Sequence, residues 1–305
     1  MIQILLRPLV KSVGIVWMAA TLGFLALSVL PGDAIASQLS QSGADPELIE
    51  AYRDRSGLNA PLSERYVRFF VGLVRGDMGV SLLSGEPVSD AIVRSLLPTA
   101  TLALSAMLFG SAVGLLLGMA DGLDVPLFAV PSSVLISLAL SVPIYWSGTL
   151  AIYVFTAQLG LLPSAGAGRL SQLVLPVLVL GFHMAGGIAR VMRISVREIL
   201  DADYVRTARA KGLHERRVLL VHVLRVALLP VISVIALQAG FLFSGAVITE
   251  SLFVRPGIGR LLLDAVIQQD YPIVMGVIVF SASVYAALSL LSDFVLRLLD
   301  PRVAL

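Results

Sequence analysis

The chain contains no cysteine, which removes disulfides, thiolate metal sites and a cysteine nucleophile together. Charge is scarce as well: 22 Lys and Arg with 20 Asp and Glu make 14% of the residues against 57% apolar ones, and the mean hydropathy is +0.93. A water-soluble domain carries about 25% charged residues, so a soluble globule is excluded. The net charge of +2 is far from the dense basic face that nucleic acid demands. Catalytic patterns are missing too. There is no G-x-x-x-x-G-K-[ST] phosphate loop, no His-Glu-x-x-His and no G-x-S-x-G. The three histidines, His183, His214 and His222, are too scattered to form a ligand set. Enzyme activity therefore has no support, and uphill movement of any solute would need energy from a partner or an ion gradient.

What is present is long apolar sequence. Charge-free runs cover 12–32, 95–120, 125–168, 170–189, 226–249 and 271–292, each reaching the roughly 20 residues that span a hydrocarbon core. The first run, after Arg7 and Lys11, is too long for a signal-peptide core despite the small residues Ala34-Ile35-Ala36, and reads as an uncleaved anchor. The run 125–168 is long enough to cross twice. Charge bias decides: Arg7 and Lys11 place the N-terminus inside, and the basic segment 190–225 belongs on the same side. One crossing at about 129–157 satisfies both. The expectation is an all-α polytopic membrane protein with six transmembrane helices and both termini in the cytoplasm. It divides into residues 1–32 (tail and first span), an extracytoplasmic helical segment at 33–94, and a core at 95–305. The core spans lie near 95–120, 129–157, 170–192, 226–249 and 271–292, with a cytoplasmic helical element within 195–225.

Two polar segments interrupt the spans. In the outer one, Asp45 with Pro46 opens a helix ending near Gly57, and Pro61 opens another ending at Gly76. The second has Leu62, Tyr66, Phe69, Phe70 and Leu73 on one face, suiting a cap on the spans or a dock for an external partner. In the inner one, Asp201 or Asp203 is positioned to cap a short helix, Ala208 and Ala210 keep it narrow, Gly212 ends it, and a second helix starts near Glu215. An amphipathic hairpin on anionic lipid explains the arginines but not the glycine between two small-residue turns; a dock for a cytoplasmic protein explains both.

Ionisable groups within the spans are few. His183 lies near the middle of the fourth span, where it makes either a helix–helix hydrogen bond or part of a pathway. Asp293 lies near the inner end of the last span. No paired carboxylates form a proton relay, which disfavours a gradient-driven secondary transporter. A membrane receptor or scaffold would share the basic hairpin but would not need the Gly/Pro-rich outer loop at 255–260, which reads as a broken, pore-facing element. His183, Glu250, Pro256, Gly257 and Gly259 are the candidate pathway or gate residues.

Several stretches resemble a known family. Asp203-Tyr204-Val205-Arg206-Thr207-Ala208-Arg209-Ala210-Lys211-Gly212-Leu213 is similar to the coupling motif of bacterial ABC importer permeases of the dipeptide, oligopeptide and nickel group. Gly76-Asp77-Met78-Gly79 with Ser81, Leu97-Pro98-Thr99-Ala100-Thr101, Arg255-Pro256-Gly257-Ile258-Gly259-Arg260-Leu261-Leu262, Asp270-Tyr271-Pro272 and Asp300-Pro301-Arg302 extend the likeness over nearly the whole chain. The outer segment resembles that of the first permease of the pair. Arg206 and Thr207 stand where the broader importer motif has Glu and Ala, a departure shared by the peptide subgroup. His214 stands where Ser or Pro would cap the next helix better. The resemblance implies a permease half in a bacterial inner membrane that pairs with a second, homologous permease and imports di- or oligopeptides. Two cytoplasmic ABC ATPases carrying ATP and Mg would seat on the coupling helices, and an extracytoplasmic binding protein would deliver the cargo. Nickel, glutathione or oligosaccharide are alternative cargoes within the class. The coupling contact would fall on Asp203, Tyr204, Arg206, Thr207, Ala208, Arg209, Ala210, Lys211, Gly212 and Leu213, and no cofactor would be bound by this chain itself.

Overall fold

The structure, a computed structural model, describes residues 2–29, 59–243 and 246–299, with Asp45, Glu47 and Glu50. Of the helix expected from Pro46 to near Gly57 only Glu47 and Glu50, both helical, are described; the Ala34-Ile35-Ala36 stretch, the terminal Asp300-Pro301-Arg302 and the side chain of Asp293 lie outside the described residues.

The elements in chain order are α1 (Ile2–Val29), α2 (Leu62–Val74), α3 (Val88–Gly122), α4 (Ala129–Ser141) and α5 (Ile144–Ala151), the last prolonged by a π-helix at Ile152–Gln158. Then come α6 (Ser171–Leu200), α7 (Asp203–Ala210), α8 (Glu215–Arg217), a second π-helix (Val218–Leu224) and α9 (Arg225–Phe243). The chain closes with α10 (Val247–Leu252), α11 (Ile258–Ile267) and α12 (Tyr271–Leu299). Among the described residues the only β pairing is a bridge between Val80 and Pro87. Five stretches are long and apolar enough to cross a bilayer, namely Leu9–Val29, Val88–Gly122, Ser171–Leu200, Glu215–Leu242 and Tyr271–Leu291. Large apolar side chains such as Leu108, Leu116 and Phe241 are mostly exposed on their outer faces, an arrangement that suits lipid or another subunit and not water.

The remaining crossing, third in chain order, is broken. The expected single span at 129–157 is α4 and α5 meeting at 108°. Pro143 causes the break: it lacks an N–H and forces the preceding Val142 into an extended conformation (φ −82°, ψ 130°). That the pair still makes one net crossing follows from its neighbours. Cβ atoms built on Gly110, Gly114, Gly118 and Gly122 of α3 would meet Gly181, Ala185, Ala189 and Arg193 of α6 in turn. Residue numbers rise together along the seam, so the two helices run parallel, and the chain must return across the bundle between them.

The α3–α6 seam is the backbone of the fold. A Cβ on Gly118 would lie 2.6 Å from the Ala189 carbonyl oxygen, and one on Gly110 would lie 2.7 Å from that of Gly181. Lipid gives no hydrophobic drive between helices, so close backbone approach through small residues supplies the packing. At one end of the seam Asp121, 3% exposed, receives Arg193 at 3.1 Å and Arg197 at 3.0 Å. Two arginines thereby offset the cost of burying its carboxylate.

α2 lies on α1 as the apolar-face pattern predicts. Tyr66 and Thr21 share a 2.9 Å hydrogen bond, and Phe24 stacks on Phe69 with ring centroids 5.8 Å apart. Helix α2 ends as expected before Gly76, whose φ of +80° suits glycine. The remaining spans differ from their expected bounds at their ends. The fifth has ended by Ala246, short of residue 249, so Glu250 falls in the separate helix α10. The fourth continues as helix to Leu200, so the inner segment begins inside α6.

Candidate functional site

The inner hairpin forms at the Arg193–Arg197 end of the seam. Helix α7 begins at Asp203 with Ala202 at its N-cap, and no side chain caps it. The expected cap by Asp201 or Asp203 is therefore absent. Asp201 instead follows the last turn of α6, and Asp203 is the first helical residue, where its charge suits the positive end of the helix dipole. Gly212 has φ +76° with open space around it and donates its N–H to the Arg209 carbonyl at 2.9 Å, the left-handed helix stop expected from the sequence. His214, an unpromising cap by sequence, does cap α8: its Nδ1 accepts the Arg216 N–H at 3.3 Å.

The two sides of α7 are chemically opposite. Val205 is fully buried and Ala208 is 6% exposed, both packed with Met192 and Val196 of α6 and with Val218, Val223 and Ala227 leading into and along α9. Leu213 packs against the same cluster. Ala208, expected to keep the helix narrow, is thus small because it faces inward. The outward side presents Tyr204, Arg206, Thr207, Arg209, Ala210 and Lys211, all exposed. Arg209 donates to Glu215 through Nη2 at 2.6 Å and Nε at 3.2 Å, tying α7 to α8 across the glycine turn. That hydrogen bond raises the Arg209 pKa, and partial burial raises that of Tyr204.

At the opposite end four of the five candidate gate residues, Glu250, Pro256, Gly257 and Gly259, lie together in one packed cluster. Glu250 is fully buried. Its carboxylate accepts from Thr99 Oγ1 at 2.5 Å and from the backbone N–H groups of Gly259 at 2.8 Å and Arg260 at 3.1 Å, at the start of α11. Thr99 Oγ1 in turn accepts the Ile258 N–H at 2.8 Å. Any Cβ on Gly257 would collide with the Glu250 carboxylate, so glycine there is a requirement of the acid's seat. Arg255, 2% exposed, donates to the carbonyls of Gly166 at 3.1 Å and Gln172 at 3.4 Å, and to that of Pro98 at 3.3 Å. The loop read as broken and pore-facing is a bolt joining α3, the start of α6 and α11, with only Pro256 of the candidate residues exposed.

Two further stretches join at this end. Gly79 at φ +85° donates its N–H to Asp77 Oδ1 at 2.9 Å. Ser81 donates to Asp270 Oδ2 at 2.5 Å, and Asp270 Oδ1 accepts the Leu82 N–H at 3.2 Å. The Gly76–Ser81 and Asp270–Pro272 motifs, 189 residues apart between Ser81 and Asp270, are therefore one structural unit. His183 belongs to neither end. It lies mid-bundle between Ala139 and Ser147, in the helix–helix role among its two readings.

Sequence reasoning missed Thr99, Arg255 and Asp121 as buried polar anchors. Asp121 was visible as the acid ending a charge-free run, and Thr99 lay inside a recognised motif without an assigned role. Burial of Arg255 had no local signal, because its three acceptors are backbone carbonyls far away in the chain. Among the described residues no cluster of His, Asp and Glu suits a metal ion.

Comparison with known proteins adds three findings. Residues 114–305 match the family described as binding-protein-dependent transport system inner membrane component. The glutathione transport system permease protein GsiC of Escherichia coli (strain K12) is 34% identical over 308 residues, covering 99% of each chain. A Brucella suis biovar 1 (strain 1330) protein, provisionally named a peptide transport system permease, is 35% identical over 312 residues with 99% coverage of each. An inward-facing methionine ABC transporter, MetNI, shares the fold at TM-score 0.59 and 17% identity, over 69% of this chain and 96% of that one.

Proposed function

Because the chain belongs to the binding-protein-dependent transport system inner membrane components and is a permease subunit of an ABC importer, we propose that it forms half of a translocation pathway for di- or oligopeptides. Its partner is a second, homologous permease. Two cytoplasmic ATPases bind ATP and Mg, hydrolyse the nucleotide and drive the pair, and an extracytoplasmic binding protein supplies the cargo. The Arg193–Arg197 end of the bundle and both termini face the cytoplasm of a bacterium, in keeping with the basic residues gathered there. The relatives' names support the cargo class: one is a peptide system, and glutathione is itself a tripeptide.

The observation that carries this reading is the two-sided α7. Its inner side is locked into the cluster of α6 and α9, and its outer side is a short polar ridge left exposed among the described residues. A protein seated on Tyr204, Arg206, Thr207, Ala210 and Lys211 would push on two membrane helices at once. Gly212 permits the turn that brings α8 back beside α7 and Arg209 to Glu215. In purified complex, Gly212→Val leaves the permease in the membrane, since its side chain meets open space, but strains the left-handed turn by about 1–2 kcal/mol. Substrate-stimulated ATP hydrolysis and uptake then fall together. Unchanged stimulation and uptake would refute the docking assignment.

A further inference from the structure

We propose that His183 is a positioning residue for transport: it holds the break of the α4–α5 crossing and passes movement of α6 to it. In a continuous helix the Ala139 carbonyl would accept the N–H of residue 143, but Pro143 has none, so the break leaves that carbonyl without its helical partner. His183 supplies the substitute, with Nδ1 2.9 Å from the Ala139 oxygen. A carbonyl only accepts, so Nδ1 carries the proton, and in the neutral ring Nε2 is then the acceptor. Ser147 Oγ lies 2.8 Å from Nε2, on the far side of the break.

One imidazole on α6 thus grips the last turn of α4 with one nitrogen and the first turn of α5 with the other. The backbones are brought close enough by Gly186, where a Cβ would lie 2.7 Å from Ala139 Cβ. Helix α6 continues into the α7 hairpin through the Met192–Val196–Val205 cluster. Helix α5 packs through Gly148 on the Leu252 side chain of α10, the helix that carries Glu250. His183 is therefore the polar link at the joint between the inner hairpin and the outer bolt. This inference rests on the reading of the hairpin as the ATPase dock.

The absence of native cysteine makes a direct test practical. Cysteines introduced by L108C on α3 and Y153C beyond α5, both exposed positions, carry a spin-label pair in the reconstituted complex with its partner permease, ATPases and binding protein. The distance distribution is measured without nucleotide and after trapping with ATP and vanadate. The expected result is a shift between the two states in the parent, its loss in His183→Leu, and its retention in His183→Asn, whose side-chain amide nitrogen takes the place of Nδ1. His183→Gln, which reaches only the Nε2 position, loses at least half of the shift. A full shift in His183→Leu, or equal behaviour of Asn and Gln, overturns the proposal. Should His183→Leu fail to assemble, the Asn and Gln pair decides it. A parent complex that shows no shift with nucleotide sinks the docking assignment, a failure distinguishable from a parent that shifts and a His183→Leu variant that shifts equally.

Discussion

Gly118→Ala adds a single methyl group near the C-terminal end of α3, and the structure says where it goes: 2.6 Å from the Ala189 carbonyl oxygen, 2.7 Å from Met192 Cβ and 2.9 Å from Ala189 Cα. Comfortable carbon contacts lie at about 3.5–4.0 Å, so the helices must part by most of an ångström. The obstacle includes α6 backbone, which has no rotamer to escape into. Overpacking of this kind costs about 1–3 kcal/mol. The exchange also gains up to about 1 kcal/mol of helix propensity, which would blur the measurement. Gly14→Ala removes that ambiguity. Gly14 is also helical, within α1, and a Cβ there meets nothing within 4 Å. The two variants share the propensity gain, so the stability difference between them isolates the seam at about 1–3 kcal/mol. Denaturant unfolding of the purified chain in mixed micelles, followed by the fluorescence of Trp17 and Trp146, provides the comparison. Equal stabilities for the two variants would mean that α3 and α6 do not approach as described.

Glu250→Ala removes the acceptor of two backbone N–H groups and of Thr99, and leaves the buried Arg255 without the carboxylate charge that favours it; the expected loss is about 3–5 kcal/mol. Glu250→Gln keeps an amide oxygen for the N–H groups and is milder, so a Gln variant as unstable as Ala would contradict the hydrogen-bonded seat. Ser81→Ala and Asp270→Ala each lose a charge-assisted bond of about 1.5–3 kcal/mol. In a double-mutant cycle their effects are non-additive by at least about 0.5 kcal/mol, and strict additivity would show that the two segments are not joined.

Much of this architecture was legible from the distribution of charge. Charge-free runs marked the crossings, and the position of the basic cluster required one net crossing between 125 and 168, as the parallel α3–α6 seam also does. The glycine turn at Gly212 and the apolar face of α2 followed from local rules, because both are decided within a few residues. The 108° break was not seen, although Val142-Pro143 was in plain view, because a uniformly apolar run gives periodicity nothing to register. The glycine ladder from Gly110 to Gly122 was likewise visible and unread. Glu250 was singled out for its polarity near a span, but the direction it faces depends on Thr99 and on a helix start nine residues later. Neither π-helix had a local signature, since both keep the composition of the α-helices they adjoin.

One consequence of the paired helices α3 and α6 concerns what is free to move. They are riveted at one end by Asp121 with Arg193 and Arg197, at the other by Arg255 reaching Pro98 and Gln172, and are pressed together between. Two rods fastened at both tips can neither slide nor scissor. They are built to behave as a single plank, so that relative motion within the bundle would fall at the plank's edges, where α9 and α12 pack.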